Sequence, residues 1–477
     1  MKHTTLDTIL PVPFSVRSLD GTMPLSELKT IQAPANLDFI RDELLRMGGY
    51  FGIRLMPVSD PDADLVVKHN PSLADGAWNL RVDSSAIQME ANDRSGFFYA
   101  SAALAQMICS ALIRGPVKAA LNCGEISDRP RFAWRGFMLD SARHFQSKET
   151  VKAVIRLMAY HRLNVFHWHL TDNQGWRIAS DLVPELSGLA ALSAGQYSLG
   201  DLREVAEFAE SLGIQIIPEI DIPGHSKGLL EHYPQYACDP SSPGKEYCLG
   251  NPESRAFLKK IFEELLAVFP NSKIIHLGGD EAETEHWDRC PVCQAAIREK
   301  GLKNSRELEH DFMLEMTRFL VERGRTPMVW GICSDLAYPS DTILQAWLDI
   351  REPLRTAPHG NKVVYSVHNS FYFDYPANLS EPHETWMFEL PEQGIYMADP
   401  YVIWENQLKN ILLGPEACLW TETVPEWRVM QKIFPRLAAY SECAWSPADK
   451  KDWHDFLRRK EFLEAAGYSD YLKNNLR

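Results

Sequence analysis

The sequence lacks the excess of positive charge that a nucleic-acid-binding protein needs. Its 64 acidic residues outnumber the 49 basic ones, so the formal net charge is −15. Because binding to phosphate groups requires a basic face, we expect no nucleic-acid partner. A neutral ligand, such as a sugar, is compatible with this charge.

Long apolar runs are also missing. No run approaches the length of a transmembrane helix, and we therefore expect no membrane partner. Residues 1–13 contain no apolar segment long enough for a signal peptide, which favours a cytoplasmic location, or a secreted or periplasmic one if a leader was removed. Hydrophobic residues make up 45% and charged residues 24% of the 477 positions, which is typical of a globular protein.

Cysteine is present, but not in the pattern of a disulfide framework. The nine cysteines are odd in number, and most stand singly in apolar surroundings, as Cys109, Cys418 and Cys443 do. This pattern favours buried thiols in a reducing compartment. The sequence also has no Gly-x-Gly-x-x-Gly motif after a predicted strand, which argues against a dinucleotide-binding fold.

Hydrophobic patterning divides the chain into three parts. Residues 1–128 contain short predicted strands and an Ala-rich helix, which indicates a small supporting α+β domain. Strands and helices then alternate, with strands predicted at 137–139, 165–170, 214–220, 273–277, 327–330, 342–347, 362–366 and 413–420. Eight such units are typical of a (β/α)8 TIM barrel, of the α/β class. We place the barrel at residues 129–448 and a helical tail packed on it at residues 449–477.

Two adjacent carboxylates, Asp280 and Glu281, follow the fourth predicted strand and two glycines. Neighbouring side chains on a regular strand point to opposite faces. Gly278 and Gly279 let the backbone leave the strand geometry, so that both carboxylates can converge above the strand end. Taken alone, the pair is also compatible with a solvated acidic turn. Barrel enzymes build their sites at these strand ends, so the pair is the candidate catalytic centre.

The other predicted strand ends are rich in histidine and tryptophan. Trp330, Trp347 and Trp420 end three of them, and tryptophan presents a flat apolar face to a pyranose ring. His167 and His169 alternate on the second strand, which is compatible with a metal site or with a buried charge network. We favour the network, because the tryptophans indicate a sugar site that needs no metal.

Four cysteines form a separate pattern. Cys290 and Cys293 make a Cys-Pro-x-Cys turn in the loop after the fourth strand, and Cys238 and Cys248 lie in the loop after the third. Neighbouring loops can bring four thiolates together around one structural zinc ion, which would brace the loops and take no part in the chemistry. The alternatives are four free thiols or a disulfide between Cys238 and Cys248.

Several stretches carry longer motifs. They are Arg-Gly-Phe-Met-Leu-Asp at 135–140 with Arg143-His144 beyond it, His-Trp-His-Leu-Thr-Asp at 167–172, Pro-Glu-Ile-Asp-Ile-Pro-Gly-His at 218–225, Gly-Gly-Asp-Glu at 278–281 and Trp-Thr-Glu at 420–422. In this order they resemble glycoside hydrolase family 20, the β-N-acetylhexosaminidases, across about residues 130–446. Residues 1–128 look like the small N-terminal domain of that family.

The resemblance implies a retaining, substrate-assisted mechanism that requires no cofactor. Glu281 would protonate the glycosidic oxygen, and Asp280 would orient the substrate's 2-acetamido group, whose oxygen attacks C1 to give an oxazolinium intermediate. Asp280 should therefore stay ionised while Glu281 holds a proton near neutrality. The residues expected to bind the sugar are Arg135, Asp172, His225, Trp330, Trp347, Tyr372, Asp374, Trp420 and Glu422.

The function implied by the resemblance is exo-acting release of terminal β-linked GlcNAc or GalNAc from oligosaccharides or glycoconjugates. One alternative is a lacto-N-biosidase on the same scaffold, which releases a disaccharide from a wider pocket. The long segment 369–410, with Trp386 and Met387, would open or close that pocket. Another alternative is a non-catalytic sugar-binding barrel, which would be expected to lose Glu281.

Overall fold

The first part of the chain forms a seven-stranded mixed sheet. The computed structural model describes residues 4–113, 115–186, 195–331, 337–356, 359–401, 405–434 and 436–476. Side chains along two of the strands alternate between buried and less buried positions, as packing on one face requires. In sheet order the strands are Ser15–Pro24, Ala120–Asp128, Trp78–Val82, Ile87–Ala91, Leu65–His69, Thr30–Gln32 and Met56–Pro57.

Helix Arg94–Leu112 packs on this sheet, and helix Asp38–Tyr50 packs beside it. Asp93 caps the first of these helices by accepting a hydrogen bond of 2.8 Å from the Gly96 amide. With 19 residues and a mean hydropathy of 1.3, this helix is long and apolar enough to span a membrane, which corrects the expectation that no segment approaches that length. Because 89% of its apolar stretch is buried inside the protein, we assign it to the core of the domain.

Eight parallel strands close the barrel that the sequence predicts. Most of their residues are buried, which explains why these strands appear in the sequence as short apolar runs without clear alternation. The barrel closes where Leu419 of the last strand pairs with Leu139 of the first. The strands are Gly136–Asp140, Val165–His169, Gln215–Glu219, Ile274–His276, Thr326–Trp330, Ile343–Ala346, Val363–Tyr365 and Leu412–Leu419.

Helices follow the strands and surround the barrel. Ser147 and Asn251 cap two of the long ones through side-chain hydrogen bonds to the first turn. The described part of the long segment between strands seven and eight contains three short helices, as its length suggested. The helices of the barrel region are Lys148–Tyr160, Leu199–Ser211, Lys227–Leu230, Pro252–Val268, Glu285–Arg289, Pro291–Lys300, Ser305–Val321, Glu352–Thr356, His368–Phe371, Glu392–Met397, Glu405–Leu408, Glu426–Ile433 and Arg436–Trp445.

The C-terminal helices contact both the barrel and the N-terminal domain. Arg459 pairs with Glu442 of the barrel, with 2.7 Å between the charged atoms. Tyr471 stacks on Phe51 of the first domain, with ring centroids 5.0 Å apart. The tail therefore helps to hold the two parts of the molecule together. Its helices are Trp453–Ala465 and Tyr468–Asn475.

Candidate active site

The loop after the fourth barrel strand brings Asp280 and Glu281 to one side of the barrel mouth. Gly278 and Gly279 have φ values of +71° and +102°, in a region that other residues rarely adopt. A Cβ atom on Gly278 would lie 1.7 Å from Oδ1 of Asp221, so only glycine fits there. Glu281 itself has a φ of +52°, which is strained for a residue with a side chain. This turn lets two neighbouring carboxylates face one cavity.

A cavity of about 510 Å³ opens at this end of the barrel, in the size range of small-molecule sites. It brings together most of the side chains that the sequence predicts, namely His225, Asp280, Glu281, Trp330, Trp347, Tyr372, Trp420 and Glu422. The other lining residues, for which the sequence predicts no contact with the sugar, are Arg143, Leu348, His368, Tyr375 and Trp386.

Aromatic side chains form one wall of the cavity. The ring centroids of Trp330 and Trp420 are 5.7 Å apart, and Tyr372 lies 6.2 Å from Trp420. The indole N–H of Trp330 donates a hydrogen bond of 2.9 Å to Glu219, which fixes the orientation of the ring. Flat apolar faces of this kind pack well against the C–H side of a pyranose.

Arg135 does not lie in this cavity, which corrects its predicted role in sugar binding. It is buried before the first strand, where its guanidinium donates to the carbonyls of Arg162 and Phe132 at 2.6 and 2.8 Å and to the Tyr99 hydroxyl at 3.1 Å. Strand Gly136–Asp140 separates it from the barrel mouth by roughly 15 Å, at about 3.3 Å per residue. Arg135 therefore joins the barrel to the N-terminal domain.

Arg143, just beyond the C-terminal end of the same strand, lines the cavity instead. Its guanidinium lies 2.9 Å from Asp172, 3.8 Å from Glu422 and 4.7 Å from the centre of the Trp420 ring. The sequence carried the signal, because Arg143 follows its strand whereas Arg135 precedes it, and barrel sites form at the C-terminal ends.

Asp172, also predicted to bind the sugar, does not line the cavity. Its carboxylate lies 2.9 Å from Arg143, 3.1 Å from Nδ1 of His225 and 3.1 Å from Nε2 of His169. Burial would raise the pKa of Asp172, but the Arg143 charge and the two histidines outweigh burial and hold this pKa well below its usual value. Asp172 is therefore an anion that positions Arg143 and His225.

The predicted charge network lies in the barrel interior. Glu219 accepts hydrogen bonds from Trp330 and from Nε2 of His167, the latter at 3.0 Å, and lies 3.0 Å from Nδ1 of His276. The other ring nitrogen of His167 lies 2.8 Å from Glu416. Burial lowers the pKa of His167, but the two carboxylates outweigh burial and raise it to about 9. The network fixes Trp330 from below.

The two candidate catalytic carboxyls have different surroundings. Burial, and then the negative charge of Asp221, raises the pKa of Asp280 well above its usual value. The side chain of Glu281 is 59% exposed, and its pKa is lowered, chiefly by His225, whose Nε2 lies 3.5 Å away. The family resemblance implies the opposite order of pKa values. The order is reversed here because Asp280 is largely buried beside Asp221, whereas Glu281 is more exposed and lies beside His225.

Several buried polar atoms around the cavity have no hydrogen-bond partner within the described part of the chain. They are both carboxylate oxygens of Asp374, Oε2 of Glu422, Oδ1 of Asp280 and the indole nitrogen of Trp347. Asp374 is fully buried and does not line the cavity surface. Because an unpaired buried polar group costs about 1–3 kcal/mol, this cluster favours a polar ligand that supplies the missing partners.

The four cysteines singled out by their spacing also meet. Their sulfur atoms all lie within 4.8 Å of one another, between the loops that follow the third and fourth strands. None of the four, Cys238, Cys248, Cys290 and Cys293, lines the cavity.

The barrel, the carboxylate pair at one strand end and the aromatic cavity together define a glycoside hydrolase. Comparison with known families makes this more specific. The family described as "Glycosyl hydrolase family 20, catalytic domain" matches residues 132–448, and "Glycosyl hydrolase family 20, domain 2" matches residues 7–129. The chain therefore belongs to glycosyl hydrolase family 20, the β-hexosaminidases.

Individual relatives agree with this assignment. A beta-hexosaminidase from Akkermansia muciniphila is 31% identical over 413 residues, which cover 82% of this chain and 83% of the relative. A beta-hexosaminidase from Vibrio furnissii is 31% identical over 474 residues, covering 91% of this chain and 75% of the relative. The structure of a GH20 exo beta-N-acetylglucosaminidase from Vibrio harveyi in complex with N-acetylglucosamine has a TM-score of 0.87 and 29% identity, covering 97% of this chain and 78% of that one.

Proposed function

We propose that the chain is an exo-acting β-N-acetylhexosaminidase that hydrolyses terminal β-linked GlcNAc or GalNAc from oligosaccharides or glycoconjugates. The observation that carries the proposal is the adjacency of Asp280 and Glu281 beside a tryptophan-walled cavity. The relatives support it, because they are beta-hexosaminidases and the Vibrio harveyi structure contains N-acetylglucosamine.

In the proposed reaction the sugar supplies its own nucleophile. As the bond between C1 and the glycosidic oxygen breaks, Glu281 gives its proton to the departing oxygen and the 2-acetamido carbonyl oxygen bonds to C1. The carboxylate of Asp280 stabilises the positive charge that develops on the acetamido nitrogen. Water then attacks C1 and returns a proton to Glu281. Each step inverts the anomeric centre, so the overall reaction retains the configuration.

Sugar binding would reverse the order of the two pKa values. A pyranose in the cavity excludes water from Glu281, and this desolvation raises the pKa of that carboxyl. The acetamido N–H donates a hydrogen bond to Asp280, which favours its ionised form and lowers its pKa. The acid is then protonated beside the leaving group, and the stabilising carboxylate is ionised.

Arg143 and Glu422, which line the cavity, are the proposed partners of the sugar hydroxyls, and Asp374, which is buried and does not line it, would join them only after a side-chain rotation on sugar binding. Arg143 offers several N–H donors from one rigid group. Asp374 and Glu422 retain unpartnered buried oxygens, and burial raises both of their pKa values, so that they can accept or donate hydrogen bonds. Burial also raises the pKa of Tyr372, which keeps its hydroxyl protonated to donate to the acetamido oxygen. None of these steps requires a cofactor.

Three aryl glycosides and one inhibitor test the proposal. We expect hydrolysis of aryl β-GlcNAc and aryl β-GalNAc, a β-configured sugar as the first product seen by NMR, and inhibition by a thiazoline mimic of the intermediate. Asp280→Asn should weaken that inhibition. Activity confined to aryl lacto-N-bioside would establish the disaccharide-releasing alternative, and binding without turnover would identify a sugar-binding barrel. An inverted product would overturn the substrate-assisted step.

A further inference from the structure

We propose that Cys238, Cys248, Cys290 and Cys293 bind a structural zinc ion that fixes the two loops carrying the catalytic side chains. The site is outside the sugar cavity and independent of the hydrolytic chemistry. Its evidence lies in the arrangement of the sulfur atoms, in the groups around them and in the loops that they join.

The sulfur atoms lie at the separations expected for ligands of one metal ion. Sγ of Cys293 is 3.7 Å from Sγ of Cys238 and 3.7 Å from Sγ of Cys248, and Cys248 is 3.8 Å from Cys290. A tetrahedron with Zn–S bonds of about 2.3 Å has edges of about 3.8 Å. All four are free cysteines, so the alternative disulfide between Cys238 and Cys248 is not formed in this structure.

The surroundings of the sulfurs favour bound thiolates over four packed thiols. The amide of Gly250 donates to Sγ of Cys293 at 3.3 Å, the kind of outer contact that stabilises a metal-bound thiolate. Cys290 immediately precedes helix Pro291–Lys300, whose N-terminal end favours negative charge. Four thiolates select a soft cation such as Zn²⁺ over Mg²⁺ or Ca²⁺. Binding releases the thiol protons and leaves no open coordination position, which defines a structural site.

The cluster joins the loops that carry the catalytic groups. The loop after the third strand contains His225 and two of the cysteines, and the loop after the fourth strand contains Glu281 and the other two. The indole N–H of Trp287, in the second of these loops, donates to the carbonyl of Tyr247 in the first at 2.8 Å. His225 and Glu281 then meet across the same two loops at 3.5 Å. Zinc is therefore placed to set the separation of the two loops.

Metal analysis of the full chain, purified with a reductant from zinc-supplemented cells, tests the site. We expect about one equivalent of zinc per chain in the wild type and its loss in the double variant Cys290→Ser, Cys293→Ser. Cys123→Ser is the matched control, because Cys123 is a buried cysteine of the N-terminal sheet and its variant should keep the metal. Less than about a tenth of an equivalent in the wild type, or unchanged zinc in the double variant, would overturn the proposal.

Two measurements on the wild type remain valid if the double variant does not fold. Replacement of zinc by Co²⁺ should give the intense thiolate-to-cobalt absorption of a tetrahedral site, and its absence contradicts thiolate ligation. After zinc removal, amides of residues 236–251 and 282–294 should exchange hydrogen faster while those of residues 15–128 do not change. Unchanged loop amides would overturn the bracing role. These readouts do not depend on hydrolysis, so this proposal and the proposed function can fail separately.

Discussion

Glu281 faces the solvent side of the cavity, where a departing glycosidic oxygen would lie. Glu281→Gln keeps the shape of the side chain but removes the proton, so kcat on N,N′-diacetylchitobiose should fall by about 10²- to 10⁴-fold. The loss on a 4-nitrophenyl glycoside should be smaller, because nitrophenolate leaves without a proton. Glu283→Gln is the control, since Glu283 is an exposed carboxyl paired with Lys245 at 3.1 Å. Equal losses on both substrates would contradict the acid role.

Arg143 and Arg135 provide a direct comparison, because only one of them lines the cavity. Arg143→Ala should lower kcat/KM by about 10²-fold through loss of sugar positioning. Arg135→Ala should leave kcat/KM of the folded protein near the wild-type value, and should lower the free energy of unfolding because carbonyls that accept from Arg135 lose their donor. Steady-state kinetics and urea unfolding of both variants distinguish these roles. A large loss of kcat/KM in Arg135→Ala and none in Arg143→Ala would support the sugar-binding role that was predicted for Arg135.

The pH dependence should differ between the free enzyme and the sugar complex. As the proposed acid, Glu281 would act only while protonated, so the rate should fall as pH rises through its pKa. In the free protein the hydrogen bond with His225 lowers this pKa. We therefore expect kcat/KM to begin falling at a lower pH than kcat, measured from about pH 4 to 9.

His225→Gln tests the cause of this difference. Without the imidazole beside it, Glu281 should regain a higher pKa in the free protein, and the kcat/KM profile should move towards that of kcat. Profiles of kcat/KM and kcat that coincide in the wild type would show that sugar binding leaves the pKa of Glu281 unchanged.

The sequence was sufficient to bring Asp280, Glu281 and the three tryptophans to one cavity, because all of them stand at the ends of apolar runs. The prediction for Arg135 is wrong because the motif holds two arginines eight positions apart, and the resemblance pointed to the one before the strand, whereas Arg143, which follows the strand, lines the cavity. The predicted order of the two carboxyl pKa values is also wrong. That order depends on the burial of Asp280 beside Asp221 and on the contact between Glu281 and His225, and both are settled only when distant segments pack.

At the scale of the element, the barrel strands were predictable because each is a short apolar run bounded by turns. The Ala-rich pattern predicts a helix where Arg94–Leu112 lies, but the expectation that no segment approaches the length of a transmembrane helix is wrong for it. No local sequence pattern predicts contacts between residues far apart in the chain, such as that of His167 with Glu416. These long-range pairs determine which side chains are charged inside the barrel.

The charge network between the strands should make stability depend on pH. The pKa of His167 is raised from 6.5 to about 9 in the folded protein. The stabilisation that charged His167 gives to the folded state is therefore complete below pH 6.5 and is lost as pH rises through about 9. We expect the free energy of unfolding to fall across this interval by about 3 kcal/mol at most from this group. Urea unfolding at several pH values measures the slope.

His167→Gln should remove that part of the slope, because glutamine keeps a hydrogen-bonding side chain but does not titrate. His69→Gln, an exposed position on the N-terminal sheet, is the control and should keep the wild-type slope. Other groups titrate in the same interval, so the informative quantity is the difference between wild type and variant. A difference that does not change with pH would mean that His167 is not charged in the folded protein.

At the scale of the whole molecule, a buried ion pair connects the N-terminal domain to the barrel. Asp128 at the end of the sheet pairs with Arg162 of the barrel and accepts hydrogen bonds from the Trp445 indole at 3.0 Å and the Phe14 amide at 2.9 Å. Burial raises the pKa of Asp128, with Arg162 opposing, so the intact pair adds little to stability. Loss of one partner is different, because it leaves a buried charge without its counter-charge.

Asp128→Asn should therefore lower the free energy of unfolding by about 3–5 kcal/mol. Glu125→Gln on the same sheet removes an exposed pairing with Arg17 and Arg81, and should lower the free energy of unfolding far less than Asp128→Asn does. Because Asp128 contacts both domains, its loss should destabilise the two domains together as one cooperative unit. Intrinsic fluorescence and circular dichroism should then report a single unfolding transition, shifted to lower denaturant concentration. If the sheet unfolded first in Asp128→Asn while the barrel kept its wild-type midpoint, the N-terminal domain would be an independent attachment and not part of the folded unit that supports the active site.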